Sequence, residues 1–191
     1  MDYILVAILS YLFGSIPFGF ILSKFFLKID IRKIGSGNIG ATNALRTGNK
    51  LVGYSTLTLD ILKAVIPVLY VKYYHQDFIF ISALCVFLGH LFPLWLKFKG
   101  GKGVATYIGI LVSINIIFGI VFCIIWITVF FISKYSSLAS ILGSISLPLF
   151  ILFTKQDNVI FYFIMFVLIF YTHKENIKRL INKEENKTKI Y

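Results

Sequence analysis

Hydrophobic positions in this chain form long continuous runs, and short polar segments separate them. Continuous apolar runs of about 20 residues are typical of helices that cross a bilayer, whereas membrane β-barrels show alternating strands. The pattern therefore predicts an all-α integral membrane protein, a helical bundle that forms one membrane-embedded domain over residues 1–191. The apolar runs lie near residues 4–22, 51–71, 78–96, 103–114, 116–133, 137–153 and 159–172.

The number of membrane crossings depends on the region 103–133. This region is 31 residues long and has Asn115 near its middle. Two short crossings, one crossing with a re-entrant segment, and a single long tilted helix all fit, because a perpendicular crossing needs about 20 residues. We expect seven transmembrane helices, and five is the alternative.

Composition and charge agree with this class and suggest an orientation. Hydrophobic residues make up 58% of the chain, which is more apolar surface than a soluble domain of this size can bury. Of the 19 Lys and Arg residues, 16 lie in segments that the order of the spans places on one side. The positive-inside rule makes that side cytoplasmic, with the N-terminus outside and a basic cytoplasmic tail over 173–191. The net charge of +11 then reflects topology and attraction to anionic membrane lipid, and we expect no nucleic-acid partner.

A polar loop from Gly35 to Arg46 is the first candidate site. Its glycines let backbone amides approach an anion, its side chains add hydrogen-bond donors, and Arg46 supplies a planar cation. The spacing of its three glycines also matches a dinucleotide-binding pattern, but that pattern requires a preceding strand in a βαβ unit. If residues 40–46 begin a helix, side chains three or four positions apart share one face. The candidate residues of this loop are Ser36, Gly37, Asn38, Gly40, Thr42, Asn43 and Arg46.

A second polar segment surrounds Lys102. The turn Gly100-Gly-Lys-Gly103 could wrap a phosphate with backbone amides while Lys102 supplies a point charge. It is not a nucleoside-triphosphate loop, because the upstream glycine and the following Ser or Thr are missing. His90 lies inside a span, where it could act as a base or as a buried hydrogen-bonding residue, and we favour the structural role.

A third set of polar residues is split between two segments. Ser137 and Ser140 are three residues apart, as are His173 and Asn176, so each pair would share a helix face. Serines in membrane helices usually bond to a nearby carbonyl or help helices pack.

Ionisable residues also occur within one apolar run. Asp60 and Lys63 are three residues apart and can pair on one helix face. Charges inside a membrane are costly and often functional, so mutual neutralisation and a catalytic part both remain open. The three histidines are scattered along the chain, and we expect no metal site.

Taken together, these motifs resemble the bacterial acyl-phosphate:glycerol-3-phosphate acyltransferases, the PlsY-type integral membrane family. Six motifs occur in the right order and cover essentially the whole chain. They are the segments 14–19, 36–46, 89–93, 98–106, 137–141 and 173–180.

The resemblance implies a seven-helix fold in the bacterial plasma (inner) membrane, with the active site facing the cytoplasm. It also implies transfer of a fatty acyl group from a long-chain acyl phosphate to the sn-1 hydroxyl of glycerol 3-phosphate. The products would be 1-acylglycerol 3-phosphate (lysophosphatidate) and phosphate, in the first acylation of phospholipid synthesis. An acyl phosphate is already activated, so no cofactor is expected. An enzyme that forms acyl phosphate is the expected functional partner.

The resemblance also assigns roles to individual residues. Phosphate contacts fall to Ser36, Arg46 and Lys102, and a structurally important glutamate maps onto Glu185. Lys134 departs from the family pattern, which often has arginine there, and Lys183 stands where glycine is common. The expected catalytic residues are Ser36, Asn38, Arg46, Lys102, His173 and Asn176. The expected substrate-binding residues are Gly37, Gly40, Thr42, Asn43, Gly100, Gly101, Gly103 and Ser140.

Two points of mechanism and class follow from what the loops contain. The first loop has no carboxylate, so we expect an oxygen of a substrate phosphate to take the hydroxyl proton. A transporter for a small anion or phosphate ester is the alternative function. Against it, the polar segments gather on one predicted side, and few ionisable residues occur within the spans.

Overall fold

A computed structural model describes residues 2–188, and the regular elements in that range are all helical. The predictions that involve Met1 and residues 189–191 lie outside the described residues. Short 3₁₀ turns occur at Ile31–Lys33, Gln76–Phe78 and Leu94–Leu96. The helices are α1 (Tyr3–Gly14), α2 (Phe18–Leu27), α3 (Ala41–Leu45), α4 (Lys50–Tyr74), α5 (Ile79–Leu91), α6 (Val104–Ile114), α7 (Ile116–Ser133), α8 (Ser136–Phe153), α9 (Val159–Thr172) and α10 (Lys174–Ile181).

Five helical stretches in the described part of the chain are long and apolar enough to cross a membrane. Helices α9 and α10 add a sixth if they count as one span bent by 63°. Helix α6 has 11 residues and extends about 16 Å, about half of the hydrocarbon core. The multi-pass helical class is therefore confirmed, whereas the count of seven and the orientation stay predictions. The five stretches are Tyr3–Leu27, Lys50–Tyr74, Gln76–Leu96, Ile116–Ser133 and Ser136–Phe153.

The first hydrophobic run is broken into two helices, where the sequence predicted one span over 4–22. Helix α1 ends at Gly14, and α2 begins after Pro17. Proline has no backbone N–H and forces the residue before it away from helical geometry, which explains the break. The Ser15 hydroxyl donates a hydrogen bond to the carbonyl of Leu12 at 2.8 Å and so helps to close the end of α1.

The region 103–133 forms two helices that separate at Asn115. The side chain of Asn115 caps α7 by accepting a hydrogen bond from the amide of Ile117 at 2.9 Å. At the end of α6, the Lys72 ammonium donates to the carbonyls of Ser113 and Ile114 at 2.8 and 2.9 Å. Because both helix ends have side-chain partners, the chain can break here at little cost.

The chain divides between Ile114 and Asn115 into two compact helical units. In the first unit, α1 packs on α5 and α4 packs on α6. A β-carbon at Gly14 would overlap the carbonyl of Val86, and one at Gly109 would overlap that of Ile61. Glycine is therefore what allows these helix backbones to approach closely.

The second unit is built from α7, α8 and α9. The ring of Phe118 meets that of Tyr162 edge to face, with 5.4 Å between the centroids. Phe122 is fully buried and lies over Gly143 of α8. Helix α10 carries a strongly one-sided apolar stripe.

Candidate active site

The first polar loop is held together by the side chain of Asn43, which is 2% exposed. Its Oδ1 accepts a hydrogen bond from the amide of Ser36 at 3.0 Å. Its Nδ2 lies 3.0 Å from the carbonyl oxygen of Ile31, 3.1 Å from that of Ile34 and 2.8 Å from that of Asn38. A single amide thus joins four points of the backbone between Ile31 and Asn38. Buried asparagine in this role fixes the loop's shape.

Turn geometry then places Ser36 on the outside of this loop. Gly35 and Gly37, on either side of it, have φ of +54° and +69°, a region that favours glycine. The Oδ1 of Asn38 accepts a hydrogen bond from the amide of Gly40 at 2.9 Å, a local turn typical of asparagine. Ser36 is exposed as a result.

Arg46 follows α3 and lies against the same loop. Its Cδ would be 3.0 Å from a β-carbon at Gly35, so the side chain runs beside the residue that precedes Ser36. Arg46 is exposed, and no hydrogen bond or ion pair holds its guanidinium within residues 2–188. The loop therefore presents an exposed hydroxyl at Ser36 and an open guanidinium on a side chain that passes the neighbouring Gly35, a pair of groups that suits an anion with several oxygens.

Another arginine of the same connection is already paired. The Arg32 guanidinium donates to both carboxylate oxygens of Asp30, at 2.9 and 2.7 Å. This hydrogen bonding outweighs partial desolvation and lowers the pKa of Asp30 to about 2. Arg32 therefore has an internal partner where Arg46 has none within the described range.

Both polar loops lie at one end of the first unit. A buried apolar cluster beneath the first loop contains Ile31, Ile39, Ala44 and Val52. Leu96, from the connection that leads into the second loop, belongs to the same cluster. Its burial with residues of the first loop brings the two connections together.

The second loop rests directly on the C-terminal end of α5. The amide of Gly100 donates to the carbonyl of Leu91 at 3.0 Å, and that of Gly101 donates to the carbonyl of His90 at 3.1 Å. A β-carbon at either glycine would overlap atoms of His90. These glycines thus serve close packing, and both amides are used inside the protein, unlike the predicted phosphate cradle. Lys102 follows them and is half-buried.

In the second unit, polar residues converge on Glu185. Its carboxylate accepts hydrogen bonds from Asn176 Nδ2 at 2.6 Å, Arg179 Nε at 2.7 Å and Ser137 Oγ at 2.8 Å. Burial acts to raise the pKa of Glu185, but these three donors outweigh it and hold the pKa below its ordinary value. The network ties the chain after α10 to the start of α8.

His173 and Ser140, also in the second unit, have partners of their own. His173 follows α9 and is 2% exposed, with Nδ1 at 2.8 Å from the carbonyl of Ile169. Because a carbonyl only accepts, Nδ1 carries the hydrogen. The Ser140 hydroxyl donates to the carbonyl of Ser136 at 2.7 Å and accepts from Trp126 Nε1 at 3.0 Å.

The predicted site residues thus fall into three groups. The residues of the first loop come together around Asn43, and those of the second loop lie at the same end of the first unit. Ser140, His173 and Asn176 belong to the second unit. Sequence reasoning missed the part of Ser137 and Arg179 in binding Glu185, although Asn176 and Arg179 are one helical turn apart. In residues 2–188, no group of three or more His, Cys, Asp or Glu could hold a metal ion.

Fold and loops together define a multi-pass membrane protein with a polar loop suited to a phosphorylated ligand, and comparisons narrow the class. The sequence model of the glycerol-3-phosphate acyltransferase family matches residues 4–183. A glycerol-3-phosphate acyltransferase from Pelagibacter ubique is 69% identical over the full length of both chains. Another, from Ehrlichia chaffeensis, is 50% identical over 97% of this chain and 96% of its own. The chain therefore belongs to the glycerol-3-phosphate acyltransferase family, as the motifs predicted.

Solved structures agree with this membership. The fold matches the crystal structure of PlsY (YgiH), an integral membrane glycerol 3-phosphate acyltransferase, in its glycerol 3-phosphate form. The TM-score is 0.90 at 37% identity, over 97% of this chain and 94% of that one. The lysophosphatidic acid form of PlsY matches with a TM-score of 0.87 at 36% identity, over the same shares of the two chains.

Proposed function

We propose that this protein transfers a long-chain fatty acyl group from acyl phosphate to the sn-1 hydroxyl of glycerol 3-phosphate. The products are lysophosphatidate and inorganic phosphate, and the reaction is the first acylation of phospholipid synthesis. Family membership establishes a glycerol-3-phosphate acyltransferase. PlsY has a glycerol 3-phosphate form and a lysophosphatidic acid form, which supports the same acceptor and product here. The acyl-phosphate donor and the sn-1 position are our assignments.

The observation that supports the proposal best is the open guanidinium of Arg46, whose side chain passes Gly35, the residue before Ser36. A guanidinium binds two phosphate oxygens at once, and the neighbouring hydroxyl can reach a third. The first loop contains no carboxylate to compete for this cation. We therefore assign Ser36 and Arg46 to the phosphate of glycerol 3-phosphate.

The reaction needs charge neutralisation and positioning more than covalent help. Both substrates carry phosphate, so Arg46 and Lys102 would offset the repulsion between them. The acceptor hydroxyl must lie about 3–3.5 Å from the carbonyl carbon of the acyl phosphate. Its oxygen then bonds to that carbon, the bond from carbon to the phosphate oxygen breaks, and a substrate phosphate oxygen takes the proton. A donor such as the side-chain amide of Asn38 would stabilise the developing oxyanion by about 3–4 kcal/mol.

The other predicted site residues divide into contact and support roles. Gly37, Gly40 and Thr42 keep their assignment to substrate binding. Asn43, Gly100, Gly101 and Ser140 have internal partners and support the shape of their segments. The contribution of Gly103 is conformational, since its φ is +85°. On the basis of the family motif, we assign His173 and Asn176 a contribution to the rate of the reaction.

The membrane setting follows from charge distribution. Seven crossings, an outer N-terminus and an active site facing the cytoplasm of the bacterial inner membrane place 16 of the 19 Lys and Arg inside. Glycerol 3-phosphate then reaches the site from the cytoplasm, and acyl phosphate comes from a partner enzyme that forms it. Labelling of single cysteines at Ser36 and Asp77 from either side of oriented vesicles tests this orientation.

The activity is tested with purified protein in detergent and radiolabelled glycerol 3-phosphate. Palmitoyl phosphate should give lysophosphatidate, whereas palmitoyl-coenzyme A should give none. Product should be lost in Ser36→Ala and Arg46→Ala but retained in Arg32→Ala, a matched control because Arg32 is paired with Asp30. Product from palmitoyl-coenzyme A alone would overturn the donor, and no product from either donor would overturn the activity.

A further inference from the structure

A pair of opposite charges is buried inside the first unit. Asp60 Oδ1 and Lys63 Nζ, both on α4, lie 2.8 Å apart, and their side chains are 3% and 2% exposed. The Lys63 ammonium also donates to the carbonyl of Ile16 at 2.7 Å. Ile16 lies in the break between α1 and α2, so the pair connects α4 to the unwound backbone of the first span.

His90 extends this cluster toward the second polar loop. Its Nδ1 lies 3.9 Å from Asp60 Oδ1 and has no hydrogen-bond partner in the described range. The Nε2 edge of the same ring lies against Gly101, where a β-carbon would overlap it. The carbonyl of His90 also accepts the hydrogen bond from the Gly101 amide. One buried side chain thus faces the ion pair on one edge and the loop on the other.

The helix break and the start of α2 make further contacts with both polar connections. Ser15 Oγ accepts a hydrogen bond from Trp95 Nε1 at 2.8 Å, just before the second loop. Gly19 packs so closely on the carbonyl of Ile39, in the first loop, that a β-carbon would overlap it. The carbonyl that Lys63 binds therefore belongs to a segment, residues 15–19, that contacts both polar connections.

We propose that Asp60, Lys63 and His90 are positioning residues that hold the Gly100–Gly103 turn, and with it Lys102, in its working place. Two buried charges lose their hydration, so a protein with an apolar pair of similar volume in their place would often be as stable. The stability of the fold is therefore a weak reason for this cluster. Position is a better one, because the cluster joins four separate segments of the unit. The kinetic part of this inference rests on the proposed function.

The test compares two lysines of α4 that both bind backbone carbonyls. Lys63→Met removes the contact at the helix break, and the matched control Lys72→Met removes the contact at the end of α6. Asp60→Asn/Lys63→Met removes both charges together, so it leaves no unpaired ion even if Lys63→Met fails to fold. A pair that only neutralises itself predicts wild-type behaviour for this double variant.

The first readout is amide hydrogen exchange of residues 97–103 in the full-length protein, which needs no substrate. We expect the Gly100 and Gly101 amides to exchange about tenfold faster in the double variant, because their acceptors on α5 are less well held. Exchange in Lys72→Met should match wild type in this segment. Wild-type exchange in the folded double variant would overturn the inference.

The second readout is kinetic and uses glycerol 3-phosphate and palmitoyl phosphate. The double variant should raise KM for glycerol 3-phosphate about fivefold or more while kcat changes less, and Lys72→Met should leave KM within about twofold. An equal KM increase in Lys72→Met would overturn positioning in favour of general destabilisation. If wild type makes no product and the exchange result still holds, the positioning stands and the proposed function falls.

Discussion

The two units treat the same residue types in opposite ways. Around Glu185 in the second unit, a serine, an asparagine and Arg179 all donate to a carboxylate that the chain itself supplies. In the first loop, a serine and Arg46 lie beside an asparagine, and the loop has no carboxylate. The Glu185 cluster is closed by a carboxylate within the chain, whereas in our proposal the first loop is completed by the phosphate of glycerol 3-phosphate. Residue type alone does not separate the two roles, because the position of the anion decides.

Asn43 and Asn176, which are both buried, differ in the same way. Asn43 bonds to the backbone, so it shapes a loop and leaves the cation open. Asn176 bonds to Glu185, so it helps to neutralise a buried charge. Substitutions that remove one partner at a time can therefore separate an open site from a closed network.

The largest effect is expected from Arg46→Ala. If the guanidinium contacts substrate phosphate, its removal should lower kcat/KM for glycerol 3-phosphate by a factor of about 10²–10³. This corresponds to a loss of about 3–4 kcal/mol of transition-state stabilisation. Arg46→Lys should recover part of the loss, since lysine keeps the charge but loses the fork. Thermal stability in detergent should stay near wild type, because Arg46 has no partner in the described residues.

The matched substitution in the closed network is Arg179→Ala, which should lower stability and leave binding of glycerol 3-phosphate nearly unchanged. It removes the cation that pairs with the partly buried Glu185 carboxylate, so it should lower the melting temperature. KM for glycerol 3-phosphate should change little in the protein that remains folded. A large KM effect with unchanged stability would erase the distinction between the two clusters.

The next effect in size concerns the support of the open loop. Asn43→Asp keeps the acceptor for the Ser36 amide but turns a carboxylate toward the three carbonyls that Nδ2 now serves. It should destabilise the protein by about 2–3 kcal/mol, and more than Asn43→Ala, because like partial charges then face each other. Denaturation in detergent measures both variants. The opposite order would mean that the contacts of Nδ2 with these carbonyls contribute little to stability.

The hydrophobic runs were enough to predict the helical membrane class and most helix positions, since long apolar stretches leave few alternatives. They did not reveal the break at Pro17, because the apolar run 4–22 continues on both sides of it. The motif also identified Asn43 and Gly101 without showing that both face the protein interior. Burial depends on contacts between distant segments, such as Gly101 with His90, and the spacing of residues along one segment does not predict such contacts.

A smaller effect should follow from Glu185→Gln, and it should depend on pH. The pKa of Glu185 in the folded protein lies below its ordinary value of 4.5, so its ionised form stabilises the fold above that pH. At neutral pH the free energy of unfolding should be about 2 kcal/mol higher for wild type than for the variant, as is typical of hydrogen bonds to charged groups. The difference should shrink as the pH falls below 4.5, because the carboxyl then takes up a proton in the unfolded chain before it does so in the folded protein. A difference that is independent of pH would show that the contacts of Glu185 do not depend on its charge.

The smallest effect is expected from Arg32→Ala, and it completes the comparison within one connection of the first unit. Arg32 and Arg46 are both exposed cations near the same loop, so general attraction of an anion to positive charge would make both matter. Arg32 already has both oxygens of Asp30, and exposed pairs of this kind contribute little to stability. The activity of Arg32→Ala should therefore stay within about twofold of wild type. Equal losses in the two alanine variants would mean that net charge, and not an open guanidinium, governs binding of glycerol 3-phosphate.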